Sequence, residues 1–529
     1  MKRFFTYGAK FLPLIALCFG AFSAQAKQFR IPKNAAEDTD RIMSQKYWDI
    51  WNEDVQRKID ADIEANRKAD AVVNVGQIKD GTEVVVEQIS HDFVFGAHFF
   101  NFDQLGDPAL NAKYKALYGS LFNSATVALY WQQFEPQPNR PRFVSEYWDE
   151  QDYWNKSESP KTEQHWRRPA PENVVKFCKE MGIRIHGHPL IWDNRYWHMP
   201  TWLFKDCLTD PSEREFFDKE IIKKYPVFGN EGIREEYTET FKKMTPQELS
   251  AKLPVFAENL NKAFEKRVKE LAEYYGGEID SWDVVNESSH AYGKGQFQEA
   301  KDCALMKIWC GIMPSDFTFK AFQTAQKSFP ESVKLNINDY NMKPAYRDQI
   351  RELIARGCKI DIVGSQMHLF DPKTSKAIAE GKIPAGVNPE NVWETMKLID
   401  VGKPIHLSEI TITAVDTTER GRMVQAIITR NAYRLWFSIK PMMGITWWNV
   451  VDDCGAPGEP SLSGIFTRGM NPKPAFYALD ELINHEWRTN LSAKPDADGN
   501  VKFRGFKGRY RLAWFDKDGN EQFKIVNVK

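Results

Sequence analysis

Neither sign of charge is in excess: 71 Lys and Arg stand against 72 Asp and Glu, a formal net charge of −1. A chain without a basic field has little to draw nucleic acid or an anionic membrane to it, which excludes both as main partners. Cysteine is scarce, seven in 529 residues, and no C-x-x-C spacing occurs, so a zinc site of the usual kind is not expected. An early Gly-rich phosphate turn is also missing, which argues against a doubly wound nucleotide-binding sheet. Long apolar runs are absent too. The longest, Phe11 to Phe22, is too short to span a bilayer. With Lys2, Arg3 and Lys10 before it and Ala24-Gln25-Ala26 after it, the run reads as a secretory signal over residues 1–26. A lipid anchor at Cys18 is disfavoured by the bulky Leu17 ahead of it. The mature chain is therefore expected to begin near Lys27, secreted or periplasmic, with no membrane attachment after cleavage. Of the six remaining cysteines only Cys303 and Cys310 lie close in sequence, and disulfide connectivity is not legible.

Aromatic residues, by contrast, are plentiful: 17 Trp and 35 Phe. Most belong in a large core, but some Trp suit a groove for flat, C–H-rich ligands such as sugars. From Phe93 onward, short apolar runs alternate with amphipathic helical patterns. The runs are FVFGAHFF, SATVALY, IRIHGHPLIW, IDSWDVV, VKLNIND, IDIVGSQMHL, KPIHLSE and MGITWWNV. Eight strands, each followed by room for a crossover helix, predict an α/β fold of the (β/α)8 TIM-barrel type over residues 93–484. Nearly every run ends in His, Asn, Gln, Glu or Trp, and a barrel gathers such ends on one face. Two connectors, about 136–169 and 202–254, are too long for simple crossovers and are expected to wall or lid that face. Residues 27–92 read as a polar, helix-prone lead followed by a β-hairpin, ADAVVNV and TEVVVEQ around GQIKDG. Residues 485–529 alternate like β structure with Asp-Gly-Asn turns, and are expected to pack with that hairpin as a small β-rich accessory module.

The segment DSWDVVNESS, Asp280 to Ser289, runs a strand-like stretch straight into Asn286-Glu287. Glu409 closes the seventh run as Glu287 closes the fourth. Two carboxyl groups from strand ends that face each other across a barrel suit glycoside hydrolysis. One protonates the departing oxygen and the other traps the oxocarbenium-like centre, about 5–5.5 Å apart in retaining enzymes.

SWDVVNE, GSQMHL, PIHLSEI, GHPLIW, NINDYN and GITWWNVVDD, in their order and spacing, resemble family 10 of the glycoside hydrolases, the endo-β-1,4-xylanase family. The resemblance runs from about Phe93 to Leu482. It implies a retaining hydrolase that needs no metal or organic cofactor and takes a polysaccharide or oligosaccharide. Carried across, Glu287 falls on the general acid/base and Glu409 on the nucleophile. Asn286 falls on the residue that bonds the sugar 2-OH, and Gln366 and His368 on the pair beside the nucleophile. His188, Trp192 and Trp448 fall on residues holding the sugar just before the cleaved bond.

Some positions depart from the family pattern. TVALYWQQFEP lacks the acid–amide pair and lysine that bind outer xylose units. Asp193 replaces a histidine, Arg195 stands where a glutamine is usual, Thr411 replaces an aspartate two residues after the nucleophile, and Asn449 replaces a glycine. These changes admit a charged or differently linked glycan, with Arg195 either contacting an acidic substituent or pairing with Asp193 or with the charged 202–254 insertion. Two further readings stay open: a non-catalytic glycan-binding barrel and a chain-end-acting β-glycosidase. Linkage, endo versus exo action and oligomeric state are not legible.

Overall fold

The computed structural model describes residues 30–135, 138–143, 168–225, 236–292, 302–308, 311–456 and 458–529. The signal segment and most of 136–169 lie outside these residues. Eight parallel strands form the centre: β1 (Val94–His98), β2 (Ser124–Ala128), β3 (Arg184–His188), β4 (Ser281–Asn286), β5 (Lys334–Asp339), β6 (Ile362–Leu369), β7 (Ile405–Ile412) and β8 (Met442–Trp447). Each pairs with the next, and β8 pairs with β1, so the sheet closes on itself. This closed order is a (β/α)8 barrel. Residues of β1, β2 and β7 are buried throughout, as expected for strands covered on one face by helices and on the other by the filled interior. Close packing reaches the backbone: a Cβ at Gly187 would sit 2.4 Å from the ring of Trp282.

Local irregularities aim the ends of two strands. Between β4 and β5 the register slips at Asn336/Ile337, and between β6 and β7 it slips at Ser365/Gln366, which sets Gln366 opposite Glu409. An extra residue in one strand turns the following side chains, a common device beside active sites.

The N-terminal lead is part of the barrel wall rather than a separate piece. Helix Glu53–Arg67, capped by Asn52, ends with Arg67, whose guanidinium donates to the carbonyls of Phe437 and Ile439 at the end of helix Glu419–Ser438. The expected hairpin does not form. Lys68–Asn74 pairs antiparallel with Asn500–Phe506, whereas Val84–His91 pairs with Gly508–Phe515 and Asn490–Ala493. Alternation sends Val84 and Val86 inward to a core shared with Val73, Val501, Tyr510, Leu512 and Trp514, so the two N-terminal strands pair with tail strands yet bury their apolar faces together. This β-rich module is built from both chain ends.

The described cysteines, Cys178, Cys207, Cys303, Cys358 and Cys454, are buried free thiols, and Cys310 lies outside the described residues. Among the described residues no helix is long and apolar enough to cross a membrane.

Candidate active site

A cavity of about 660 Å³ opens over the C-terminal ends of the strands. The eight residues that the family resemblance pointed to line it: His188, Trp192, Asn286, Glu287, Gln366, His368, Glu409 and Trp448. They come from the ends of β3, β4, β6, β7 and β8 or just beyond, which is why residues spread over 261 positions of sequence meet in one place.

Glu287 follows directly on β4 with φ of 54°, a left-handed conformation that costs a non-glycine residue about 1–3 kcal/mol. Its N–H donates to the Asn338 carbonyl at 2.8 Å, which holds the kink and turns the carboxyl into the cavity. Across the cavity, Glu409 is 4 % exposed. The amide nitrogen of Gln366 lies 3.1 Å from Oε1 of Glu287 and 3.1 Å from Oε1 of Glu409, so the two oxygens are within two such lengths of each other. Asn338 Nδ2 donates to the same Glu409 oxygen at 2.7 Å and to Asn286 Oδ1 at 2.9 Å.

Below the glutamates lies a third carboxylate. Asp283 Oδ2 meets His186 Nε2 at 2.9 Å and His188 Nδ1 at 2.8 Å, and the far nitrogen of His188 lies 3.7 Å from Glu409 Oε1. Thus His188, which reaches the cavity, is also the link between Asp283 and Glu409. Burial opposes the charge on Asp283, yet the two imidazoles hold its carboxyl well below the usual range.

Both glutamates bind protons more tightly than an exposed carboxylate. Burial, then the neighbouring Glu409 and Asp339, push Glu287 well up. Burial raises Glu409 to about 7, with His188 and the Asn338 hydrogen bond pulling the other way. Burial thus favours the protonated form at both carboxyls, and repulsion from Glu409 adds to it at Glu287.

The rest of the wall brings residues the sequence did not single out. Glu459 accepts from Trp448 Nε1 at 2.7 Å and Asn449 Nδ2 at 2.8 Å, fixing the Trp448 ring. Arg168 and Tyr130 line the same side, while Tyr340 and Phe370 stand exposed on the other. Asn338 and Tyr340 sit at a strand end and were detectable as polar tips; Glu459 lies in a loop with no periodic signal.

Some expectations are corrected. Trp447 faces the core and donates to the carbonyl of Asn449, away from the cavity. Arg195 is buried over the Phe204 ring at 3.7 Å beside Tyr237, and is not among the cavity-lining residues. Nor does it pair with Asp193, which meets His290 instead. No described residue of 202–254 lines the cavity, because that connector spends its aromatics packing Phe204 and Phe217 against Phe256 of helix Pro254–Tyr275.

A barrel with paired carboxyl groups over its C-terminal face is the layout of a glycoside hydrolase. Residues 238–482 match the model of glycosyl hydrolase family 10. Endo-1,4-beta-xylanase A of Thermoanaerobacterium saccharolyticum is 24% identical over 329 residues, 60% of this chain and 23% of that protein. Endo-1,4-beta-xylanase A of Halalkalibacterium halodurans is 27% identical over 212 residues, 39% of this chain and 42% of that protein. The match thus spans less than half the length of either relative. Xylanase 10B from Thermotoga petrophila, solved with xylobiose, covers 75% of this chain and 95% of its own at 18% identity and a TM-score of 0.48. Residues 238–482 thus carry a glycosyl hydrolase family 10 domain, and the chain resembles xylanases of that family at low identity.

Proposed function

We propose that this chain is a secreted retaining hydrolase that cleaves internal β-linkages of a xylan-type polysaccharide by double displacement. Glu409 attacks the anomeric carbon while Glu287 gives its proton to the departing oxygen; the glycosidic bond breaks and a glycosyl ester forms on Glu409. Glu287, now ionised, takes a proton from water, which attacks the same carbon, frees Glu409 and leaves the configuration retained. The observation that carries this reading is the single amide of Gln366 within 3.1 Å of both carboxylates, a span that matches the narrow gap of a retaining pair. Asn286 Oδ1 is occupied by Asn338 and Gln366, which leaves its Nδ2 to donate to the sugar 2-OH. His188, Trp192, His368 and Trp448 would enclose that ring. A screen on neutral and acidic β-linked polysaccharides, with product sizing and NMR of the first-formed anomer, tests it; inverted product or no hydrolysis on any glycan defeats it.

A second reading is favoured by the uneven walls. Arg168, Tyr130 and Trp448 are buried on one side, whereas Tyr340 is 53% exposed on the other. Such a contrast in burial suits removal of sugars from a chain end. Labelled oligosaccharides distinguish the two readings, because chain-end action releases one small product from the outset.

A further inference from the structure

On the side of Glu287 away from the cavity, two groups outside the mechanism meet. Asp193 follows Trp192, and Trp192 lies in register with Asn286, so Asp193 stands beside the residue carrying the acid. Its Oδ2 is 3.1 Å from Nε2 of His290, and Asp193 is only 1 % exposed. His290 belongs to the short helix Ser289–Tyr292, one turn past Glu287. The opposite side of the same turn is already tied down: Asp339 accepts from the Ser289 N–H at 2.9 Å, and Gln349 donates to Ser288 Oγ at 2.9 Å. A strained left-handed residue persists only where its surroundings over-determine it, and the segment after β3 reaches this turn through Asp193, one residue past the Trp192–Asn286 pairing.

We propose that Asp193 and His290 are a positioning pair that clasps the acid-bearing turn to the end of β3 and so holds the Glu287 carboxyl on the leaving-group oxygen. The pair replaces the histidine that the family pattern places at position 193, with the imidazole supplied from across the turn. Burial disfavours the charge on His290, but the Asp193 carboxylate more than offsets this, which favours an imidazolium–carboxylate pair. Asp193 and Asp339 are among the charged groups facing His290, while Glu287 itself is faced by Glu409, Asp339 and Asp193. Because Asp193 holds the proton on His290, removing Asp193 leaves the charge facing Glu287 nearly unchanged, whereas removing only His290 leaves the Asp193 carboxylate unbalanced. Only the second change should therefore tighten the proton on Glu287.

The inference rests on Glu287 being the acid. Full-length Asp193→Asn, His290→Asn and the double variant are compared with wild type on an unactivated oligosaccharide and on a dinitrophenyl glycoside. Each single variant should lose about 10- to 100-fold in kcat/KM on the oligosaccharide, with the dinitrophenyl substrate nearly unchanged and the double variant no worse than the poorer single. The alkaline limb of the pH profile should move up for His290→Asn and stay in place for Asp193→Asn. Equal losses on both substrates, or an unmoved limb for His290→Asn, overturn the pair. If His290→Asn does not fold, His290→Gln takes its place. Carbon-13 titration of Glu287, assigned by its loss in Glu287→Gln, reads the same contrast without turnover. An inactive wild type then defeats the proposed hydrolase, and an unmoved titration in the His290 variant defeats the positioning pair.

Discussion

His368 Nε2 lies 3.4 Å from Oε2 of Glu409. The other ring nitrogen meets Thr411 Oγ1 at 2.9 Å, so a hydroxyl stands behind the imidazole where the family pattern has a carboxylate. Burial, offset only in part by Glu459, lowers His368 to about 4 and leaves the ring neutral beside Glu409. Thr411→Asp should raise the proton affinity of His368, and the resulting imidazolium should lower that of Glu409. The acid limb of kcat/KM is expected to move to lower pH, while the uncharged Thr411→Asn leaves it in place. A pH–rate series on one soluble substrate checks both.

Glu409 ionises more reluctantly in the fold than in the unfolded chain. Its folded value of about 7 lies above the unfolded value of roughly 4.3, so the native state loses stability as pH rises between the two. Glu409→Gln removes that loss. It should match wild type below about pH 4 and gain on it up to about pH 7, on the order of 3 kcal/mol at most. Thermal unfolding at several pH values measures this, and hydrolysis should be abolished in the same variant.

Glu287→Ala removes the proposed proton donor and leaves Glu409 in place. Natural substrate, with its poor leaving group, should lose several orders of magnitude in kcat, whereas a dinitrophenyl glycoside should lose far less in its first step. Added azide should then restore turnover by replacing the missing base-activated water. Parallel loss on both substrates would remove Glu287 from the acid role.

Asp283 anchors two imidazoles under the site. Asp283→Asn leaves His186 and His188 without their shared acceptor, and about 3–5 kcal/mol of stability should go with it. Because the folded carboxyl sits below its unfolded value, the wild-type contribution is present above about pH 4 and fades as pH falls further. Denaturant midpoints of wild type and variant should therefore converge in acid.

Removing residues 489–529 tests the accessory module. The deletion takes away every partner strand of Lys68–Asn74 and Val84–His91 and uncovers Val84 and Val86. The truncated chain should aggregate or lose cooperative unfolding, whereas an intact, soluble barrel would show that the module is dispensable.

Much of this site was legible because barrel strands betray themselves locally. An apolar run of four to eight residues ending in a polar tip needs no distant partner to be recognised, and the eight runs correspond to β1 to β8. Glu287, Glu409, Gln366 and His368 are such tips. Asp283 was less visible, since a carboxylate inside an apolar strand makes sense only once His186 and His188 lie opposite. Arg195 misled for the same reason: a charge near the cleft in sequence turned out to lie flat on Phe204.

What the sequence alone determined was the set of elements and the chemistry available at their ends, because periodicity and residue type act over a few positions. Pairing was decided elsewhere. Whether Val84–His91 joins its neighbour or a tail some 400 residues away depends on which partner covers its apolar face. Whether two glutamates meet depends on slips of one residue in register, and those are set by how the closed sheet packs around its interior. Local sequence cannot encode a distance across a barrel; only closure of the sheet brings those strand ends face to face.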